Sequence, residues 1–260
     1  MHLLALDTST DYCSAAIRRD PDGQIVSRQV LAGQKHSLLL LPMIDDLLRE
    51  AGLRLSQIGG IAYGEGPGSF TGLRIACSVV QGIAAAHGAQ VLGVSTLMSV
   101  AEQVRTRHLA SGGSEADCRQ LVVALDARMG EVYYAPLQWQ AAQQWQLLEP
   151  VRVSAPEAVM ALPVSLAEGS EGQWLGCGSG FAAHGPALQR RWGAALVQAA
   201  PCQAVPGQVL SEDASPLVPE AGSILRLATA GLLAGQGQSA EQALPVYIRD
   251  RVALKAGERR

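Results

Sequence analysis

The sequence predicts an α/β protein built of two lobes, and three observations carry that prediction. Short apolar strands alternate with helical stretches along most of the chain. The tripeptide Ala-Leu-Asp closes a buried strand twice, at 5–7 and at 124–126, each time where a tight hairpin opens. Between the two occurrences, Ala110-Ser111-Gly112-Gly113-Ser114 has the composition of a linker.

The elements follow in order. His2-Leu3-Leu4-Ala5-Leu6 reads as a buried strand ending in Asp7-Thr8-Ser9-Thr10-Asp11, a turn rich in side-chain acceptors. Cys13 to Ile17 is a second strand, Asp20-Pro21-Asp22-Gly23 a turn, and Gln24 to Leu31 a third strand. Ser37 is placed to cap a helix running to about Ala51, where Gly52 stops it. Ile58 to Tyr63 is a strand, and a Gly-rich turn leads into a helix from about Thr71 to His87, ended by Gly88. Val91 to Val94 and a helix from Thr96 to about Arg107 complete the first half. After the linker, Leu121 to Asp126 and Glu131 to Ala135 repeat the hairpin. Residues 137–175 are weakly patterned. Trp174-Leu175-Gly176-Cys177-Gly178-Ser179-Gly180 is a second strand-to-Gly-turn unit, and Ala221 to Leu233 is a late helix closed by Gly235. The expected lobes are 1–109 and 110–220. The helix near 221–234 packs back on the first lobe, and 245–260 is a tail.

Two α/β lobes, each with an Asp-ended hairpin, point to an actin-like, sugar-kinase-like fold of the ribonuclease H-like class, with mixed sheets and helices packed on them. In that architecture hairpin N–H groups cradle phosphate and a carboxylate orients magnesium-bound water. The bland alternative is that Asp7 and Asp126 only cap turns; pattern alone weighs the two alike.

Composition excludes several function classes. Hydrophobic residues make up 48% and charged residues 17%, as in ordinary globular proteins, so one large domain or two modest lobes can bury a core. The formal net charge is −3, and no basic stripe precedes Arg249, Arg251, Lys255, Arg259 and Arg260, which read as a solvated end. Such a chain is a poor candidate for gripping nucleic acid alone. Five scattered cysteines without a C-x-x-C predict free thiols in a reducing compartment rather than a disulfide frame or zinc site. Leu3 to Leu6 followed by Asp7 is no signal peptide, and no run of about 18 apolar residues suits a membrane span. The expectation is a cytoplasmic protein without membrane contact.

The Gly-rich run Gly64-Glu65-Gly66-Pro67-Gly68-Ser69-Phe70-Thr71-Gly72-Leu73-Arg74 is the most distinctive stretch. A Gly turn at a helix start brings bare N–H groups close to a ligand or to another chain segment. It is not a Walker A loop: the only lysines are Lys35 and Lys255, and the nearest fixed cation is Arg74. It is not G-x-G-x-x-G either, because the third glycine would fall on Ser69 or Thr71. Residues that would surround a phosphate are Asp7, Ser9, Thr10, Gly66, Gly68 and Ser69.

Other sites fail on spacing. His2, His36, His87, His108 and His184 offer no i, i+4 metal pair, and both Gly-Ser runs are out of register for a G-x-S-x-G elbow. No catalytic residue and no metal site is assigned. The two helices of the first half carry a different signal. In 37–51 the stripe Leu40, Ile44, Leu47 and Leu48 suffices for a core face, so Leu38, Leu39, Leu41 and Met43 are in excess. In 71–87, Ser78, Gly82 and Ala86 form a small-residue ridge at four-residue spacing. Surplus apolar surface beside a close-approach ridge favours a protein partner over complete burial.

Several motifs together resemble one family. They are Leu6-Asp7-Thr8-Ser9-Thr10 with Cys13-Ser14, His36-Ser37 before the leucine helix, and Gly66-Pro67-Gly68-Ser69-Phe70-Thr71-Gly72-Leu73-Arg74. Asp126-Ala127-Arg128 with Glu131-Val132-Tyr133 and Pro245-Val246-Tyr247-Ile248-Arg249 complete the set. In this order they resemble the bacterial TsaB (YeaZ) proteins, which help make N6-threonylcarbamoyladenosine at position 37 of tRNAs reading ANN codons. The resemblance implies an actin-like fold and a non-catalytic scaffold that pairs with a related catalytic subunit, TsaD, and a small ATPase, TsaE, and meets tRNA through the complex. The two histidines that hold the TsaD metal correspond here to Thr96 and Val100, which bind no iron or zinc. The partner face it implies is His36, Leu38, Leu39, Leu41, Arg74, Ser78, Gly82 and Ala86, used for a homodimer when the chain is alone. No cofactor is intrinsic; ATP or ADP with magnesium belongs, if anywhere, at a partner interface. Rival readings are an ATP-dependent phosphotransferase using Asp7, Ser9 and Gly68, and a peptidase, an old label of the superfamily.

Overall fold

A computed structural model describes residues 1–140, 144–163, 174–196 and 217–249. Strand β1 (His2–Asp7) runs antiparallel to β2 (Tyr12–Arg18), which pairs with β3 (Ile25–Leu31). On its other side β1 lies parallel to β4 (Ile58–Gly66), and β4 parallel to β5 (Gln90–Ser95), giving the order β3-β2-β1-β4-β5. Leu3 to Leu6 of β1 are all apolar because both faces of the strand are covered. Leu4 and Leu6 join the core under helices α1 (His36–Ala51) and α2 (Phe70–His87). Leu3 and Ala5 point the opposite way, onto Ile224, Leu225, Ala228 and Leu232 of α5 (Ala221–Leu233). Gly52 and Gly88 end α1 and α2 in left-handed conformation at φ 68° and 69°.

The second sheet repeats this plan. β6 (Gln120–Asp126) pairs antiparallel with β7 (Val132–Gln140) and parallel with β10 (Leu175–Cys177), and β7 carries β8 (Gln144–Leu147). Its order, β10-β6-β7-β8, matches β4-β1-β2-β3 strand for strand. A further strand, β9 (Arg152–Ser154), pairs with the start of β7. One face packs on Leu97, Val100 and Ala101 of α3 (Thr96–Ala110); the other receives Leu188 and Trp192 of α4 (Ser179–Trp192). α3 also packs on α5, so it joins the lobes from within. There Glu102, 2% exposed, accepts from Arg105 Nε and Nη2 at 2.9 and 2.7 Å and from Trp145 Nε1 at 3.1 Å, while Arg105 stacks on Trp139. The buried carboxylate is therefore paired and hydrogen-bonded, as its burial requires.

Three expectations are corrected. Ser37 does not cap α1: Lys35 holds the N-cap position, no side chain caps the helix, and the helix starts at His36. β4 runs on from Tyr63 to Gly66, because parallel β5 keeps supplying backbone partners into the Gly run. The weakly patterned stretch contains β8 and β9, strands too short for a readable period. Cys202 and the basic residues Arg251, Lys255, Arg259 and Arg260 lie outside the described residues. Cys13, Cys77 and Cys118 are buried free thiols, pushed by burial to about 12, 11 and 11 and thus inert as nucleophiles. Among the described residues no helix is long and apolar enough to cross a membrane.

Candidate functional site

The two hairpin turns face each other across a cavity of about 480 Å³, lined on one side by Ser9, Thr10, Gly68 and Ser69 and on the other by Asp126, Arg128 and Met129. Asp7 does not line it. Its Oδ1 accepts from the Ser9 N–H at 3.1 Å and from Ser9 Oγ at 2.9 Å, which locks the β1–β2 turn. Its Oδ2 is buried without a partner, pressed so near Gly64 that any side chain there would collide with it. Asp7 is 1% exposed, and burial raises its pKa from 3.8 to about 6 against the lowering effect of the Ser9 bonds.

The Gly-rich run is used internally. The Ser69 N–H donates to Ser9 O at 2.7 Å, and a Cβ on Gly68 would stand 2.5 Å from that same oxygen. Gly72 packs against Thr8 O, and Thr8 Oγ1 returns a bond to Gly72 O at 2.6 Å. Ser69 caps α2, its Oγ accepting from the Gly72 N–H at 3.3 Å. Thr96 donates to Pro67 O at 2.6 Å, and Val100 is buried in the second core. What approaches these glycines is the chain's own β1–β2 turn and its C-terminal segment: Gly66, at φ +125°, leaves 2.5 Å between a notional Cβ and Val246 O.

The opposite wall is charged but paired. Asp126 Oδ1 accepts from the Arg128 N–H at 2.9 Å, and Arg128 Nη1 and His184 Nε2 stand 3.6 and 3.7 Å from the carboxylate. Arg128 also pairs with Asp11 across the cavity, and Arg249 pairs with Glu131. Arg128 and Met129 both adopt left-handed backbone, at φ 62° and 56°. Of the two hairpin carboxylates, Asp7 is turned away from the cavity and Asp126 lines it beside Arg128, the turn N–H of Ser69 is already bonded, and Arg128 and Arg249 are each paired with a carboxylate.

The helical face is different in kind. Leu38 and Leu41 of α1 are 70% and 54% exposed, and Arg74, Ser78, Gly82 and Ala86 form an exposed strip along α2. Nothing lies within 4 Å of a notional Cβ on Gly82. Grooves flank the helix pair, one between Ser37 and Phe70, Ile75 and Val79, the other between Leu41 and Ile83. Two residues expected on this face, and one counted only as surplus, lie further in. His36 is buried with Nε2 3.2 Å from Tyr12 O, Leu39 packs partly on the core, and Met43 lies within it. All three follow the inward phase of the α1 periodicity.

Sequence reasoning marked Pro245 to Arg249 as a motif but missed where it packs. Arg249 is not part of a solvated end: its side chain is 15% exposed, pairs with Glu131 and lies 5.8 Å from the Tyr133 ring centre. Tyr247 accepts from Arg74 Nε at 2.9 Å, and Arg74 stacks 3.9 Å over Phe70, which accounts for the charge at the end of the Gly run. The apolar alternation Val246, Ile248 just ahead of Arg249 was the available signal.

Comparison with known proteins fits this geometry. The family model for tRNA N6-adenosine threonylcarbamoyltransferase (TsaD) matches residues 24–175. The chain is 34% identical to the tRNA threonylcarbamoyladenosine biosynthesis protein TsaB of Escherichia coli K12, over 98% of this chain and 97% of that protein. It is 36% identical to the protein of the same name from Haemophilus influenzae, over 60% and 64%. Among solved structures, YeaZ from Pseudomonas aeruginosa superposes with a TM-score of 0.71 at 38% identity, covering 95% of this chain and 99% of that one.

Proposed function

The chain belongs to the TsaB family of tRNA threonylcarbamoyladenosine biosynthesis proteins, and from that premise we propose that it serves as the scaffold of the modifying assembly rather than its catalyst. The observation that carries this reading is the contrast between an exposed helical face and a sealed turn. Leu38 and Leu41 stand more than half exposed beside the strip Arg74, Ser78, Gly82 and Ala86, while Asp7 and the Gly run are consumed by internal contacts. Small residues at four-residue spacing let a second helix approach closely, and flanking leucines supply the apolar area.

The partner for this face is a TsaD-type catalytic subunit, which shares the fold; a second copy of this chain takes its place when the subunit is absent. A TsaE-type ATPase completes the complex, and the reaction places threonylcarbamoyl on N6 of adenosine 37 in tRNAs reading ANN codons. The net charge of −3 supports contact with tRNA mainly through the other subunits. ATP or ADP with magnesium is held at a subunit interface or in the partner, and the protein works in the cytoplasm. The phosphotransferase and peptidase readings are not favoured, because the groups they would lead with are otherwise engaged. Asp7 is shut away from the cavity, and Ser69 Oγ is a helix cap.

The test is co-purification. Tagged TsaD-type subunit should retain the wild-type chain and lose it, by about 100-fold in affinity or more, when Leu38 and Leu41 are both replaced by glutamate, since a desolvated charge costs several kcal/mol. Undiminished capture of the double variant would remove the scaffold reading.

A further inference from the structure

Residues Leu244–Arg249 cross from one lobe to the other within a few steps of chain. On the first lobe the Val246 N–H donates to Glu65 O at 2.6 Å, extending the backbone pairing at the end of β4. Tyr63 Oη donates to Leu244 O at 3.3 Å, and Tyr247 lies 5.1 Å from the Phe70 ring while accepting from Arg74. On the second lobe Ile248 packs into the core beneath β6 and β7, and Arg249 engages Glu131, the Tyr133 ring and Met129 Sδ. The segment forms one wall of the cavity. α3 joins the lobes elsewhere, for none of its residues lines that cavity. The other ion pair across the cavity, Asp11 with Arg128, is more than half exposed on both sides and so is weakened by solvent and salt.

We infer that residues 244–249 act as a strap that fastens the lobes across the cleft and, through Tyr247, sets the Arg74 guanidinium on the α2 face. Arg249, mostly shielded from water, is the fastening on the second lobe. Arg74 has no carboxylate partner among the described residues. Held over Phe70 with its Nε engaged by Tyr247, it is a pre-ordered donor for a carboxylate of the TsaD-type subunit docked along α2. Tyr247 is thus a positioning residue, and this half of the inference rests on the scaffold reading.

The strap itself is tested on the isolated full chain by amide hydrogen exchange. Arg249→Glu and Glu131→Arg should each raise exchange about 10-fold in residues 127–134 and 244–249 while β1 and β4 stay protected, and the double reversal should restore protection. Single variants with wild-type exchange, or a double that stays as open as the singles, would overturn the strap. The positioning half is tested by Tyr247→Phe, which keeps the ring on Phe70 and removes the acceptor for Arg74. TsaD-type subunit binding should weaken about 3- to 10-fold with no change in the melting temperature, and the loss should vanish in an Arg74→Ala background. Full affinity of Tyr247→Phe, where Leu38→Glu with Leu41→Glu abolishes binding, would overturn the positioning role alone; binding that survives both would point instead at the scaffold reading.

Discussion

The two hairpins begin with the same three residues and leave their aspartates in opposite settings. In both lobes a parallel strand, a Gly turn and a helix press on the hairpin. In the first lobe Gly68 and Gly72 meet Ser9 and Thr8 of the turn, and in the second Gly178 and Gly180 meet Ala124 of the first strand. In the first lobe the carboxylate closing Ala5-Leu6-Asp7 is driven inward, with one oxygen lacking any partner. In the second, the carboxylate closing Ala124-Leu125-Asp126 is a quarter exposed, faces the cavity and gathers Arg128 and His184. The setting of a hairpin aspartate is therefore decided by what covers it, not by its own strand. A duplicated fold has turned one lobe's turn into structural core and left the other's at a polar wall.

The largest effect that would break this comparison is at the seal. Gly72→Ala puts a methyl into Thr8 O, a backbone atom that cannot swing aside, and should destabilise the chain by about 3–5 kcal/mol. Gly82→Ala, on the open helical face, should stabilise it by about 0.5–1 kcal/mol, because nothing occupies the space and alanine is the better helix former. Urea denaturation of the two variants checks both signs.

Next comes the buried carboxylate. The folded chain keeps a proton on Asp7 up to about pH 6, whereas the unfolded chain releases it near 3.8. Between those values the folded state binds more protons, so stability falls as pH rises, and the whole penalty is present above about 6. Asp7→Asn should remove that slope and gain on the order of 3 kcal/mol at pH 7, less the cost of a poorly satisfied amide. Asp126→Asn, at the solvated and ion-paired position, should move stability by no more than about 1 kcal/mol. Denaturant midpoints measured from pH 4 to 8 separate the two aspartates.

The smallest effect sharpens the description of the second turn. Met129 is exposed and left-handed at φ 56°, so Met129→Gly relieves strain while freeing the unfolded chain. A net gain below about 1 kcal/mol is expected, read as a small rise in melting temperature.

Much of the fold was legible because local signals agreed. The periodic apolar runs of β1, β6 and α5, the stop glycines Gly52 and Gly88, and the repeated Ala-Leu-Asp all fell where the structure has them. What could not be read depended on contacts far apart in sequence. Nothing local shows that Gly72 meets Thr8, that Val246 meets Glu65, or that Arg249 finds Glu131 rather than water. The helical face was half legible. Surplus leucines announced an exposed apolar face, but only the register of α1 against β2 separates exposed Leu38 and Leu41 from His36 and Met43, which turn inward.

The most direct measurement is the threonylcarbamoyladenosine content of tRNA from cells whose own TsaB is replaced by variants of this chain. Leu38→Glu with Leu41→Glu should reduce the modified nucleoside to the level of the deletion, while Asp7→Asn should keep it near wild type. Full modification with the double leucine variant, or its loss with Asp7→Asn in a chain that folds, would contradict a scaffold that works through its helical face.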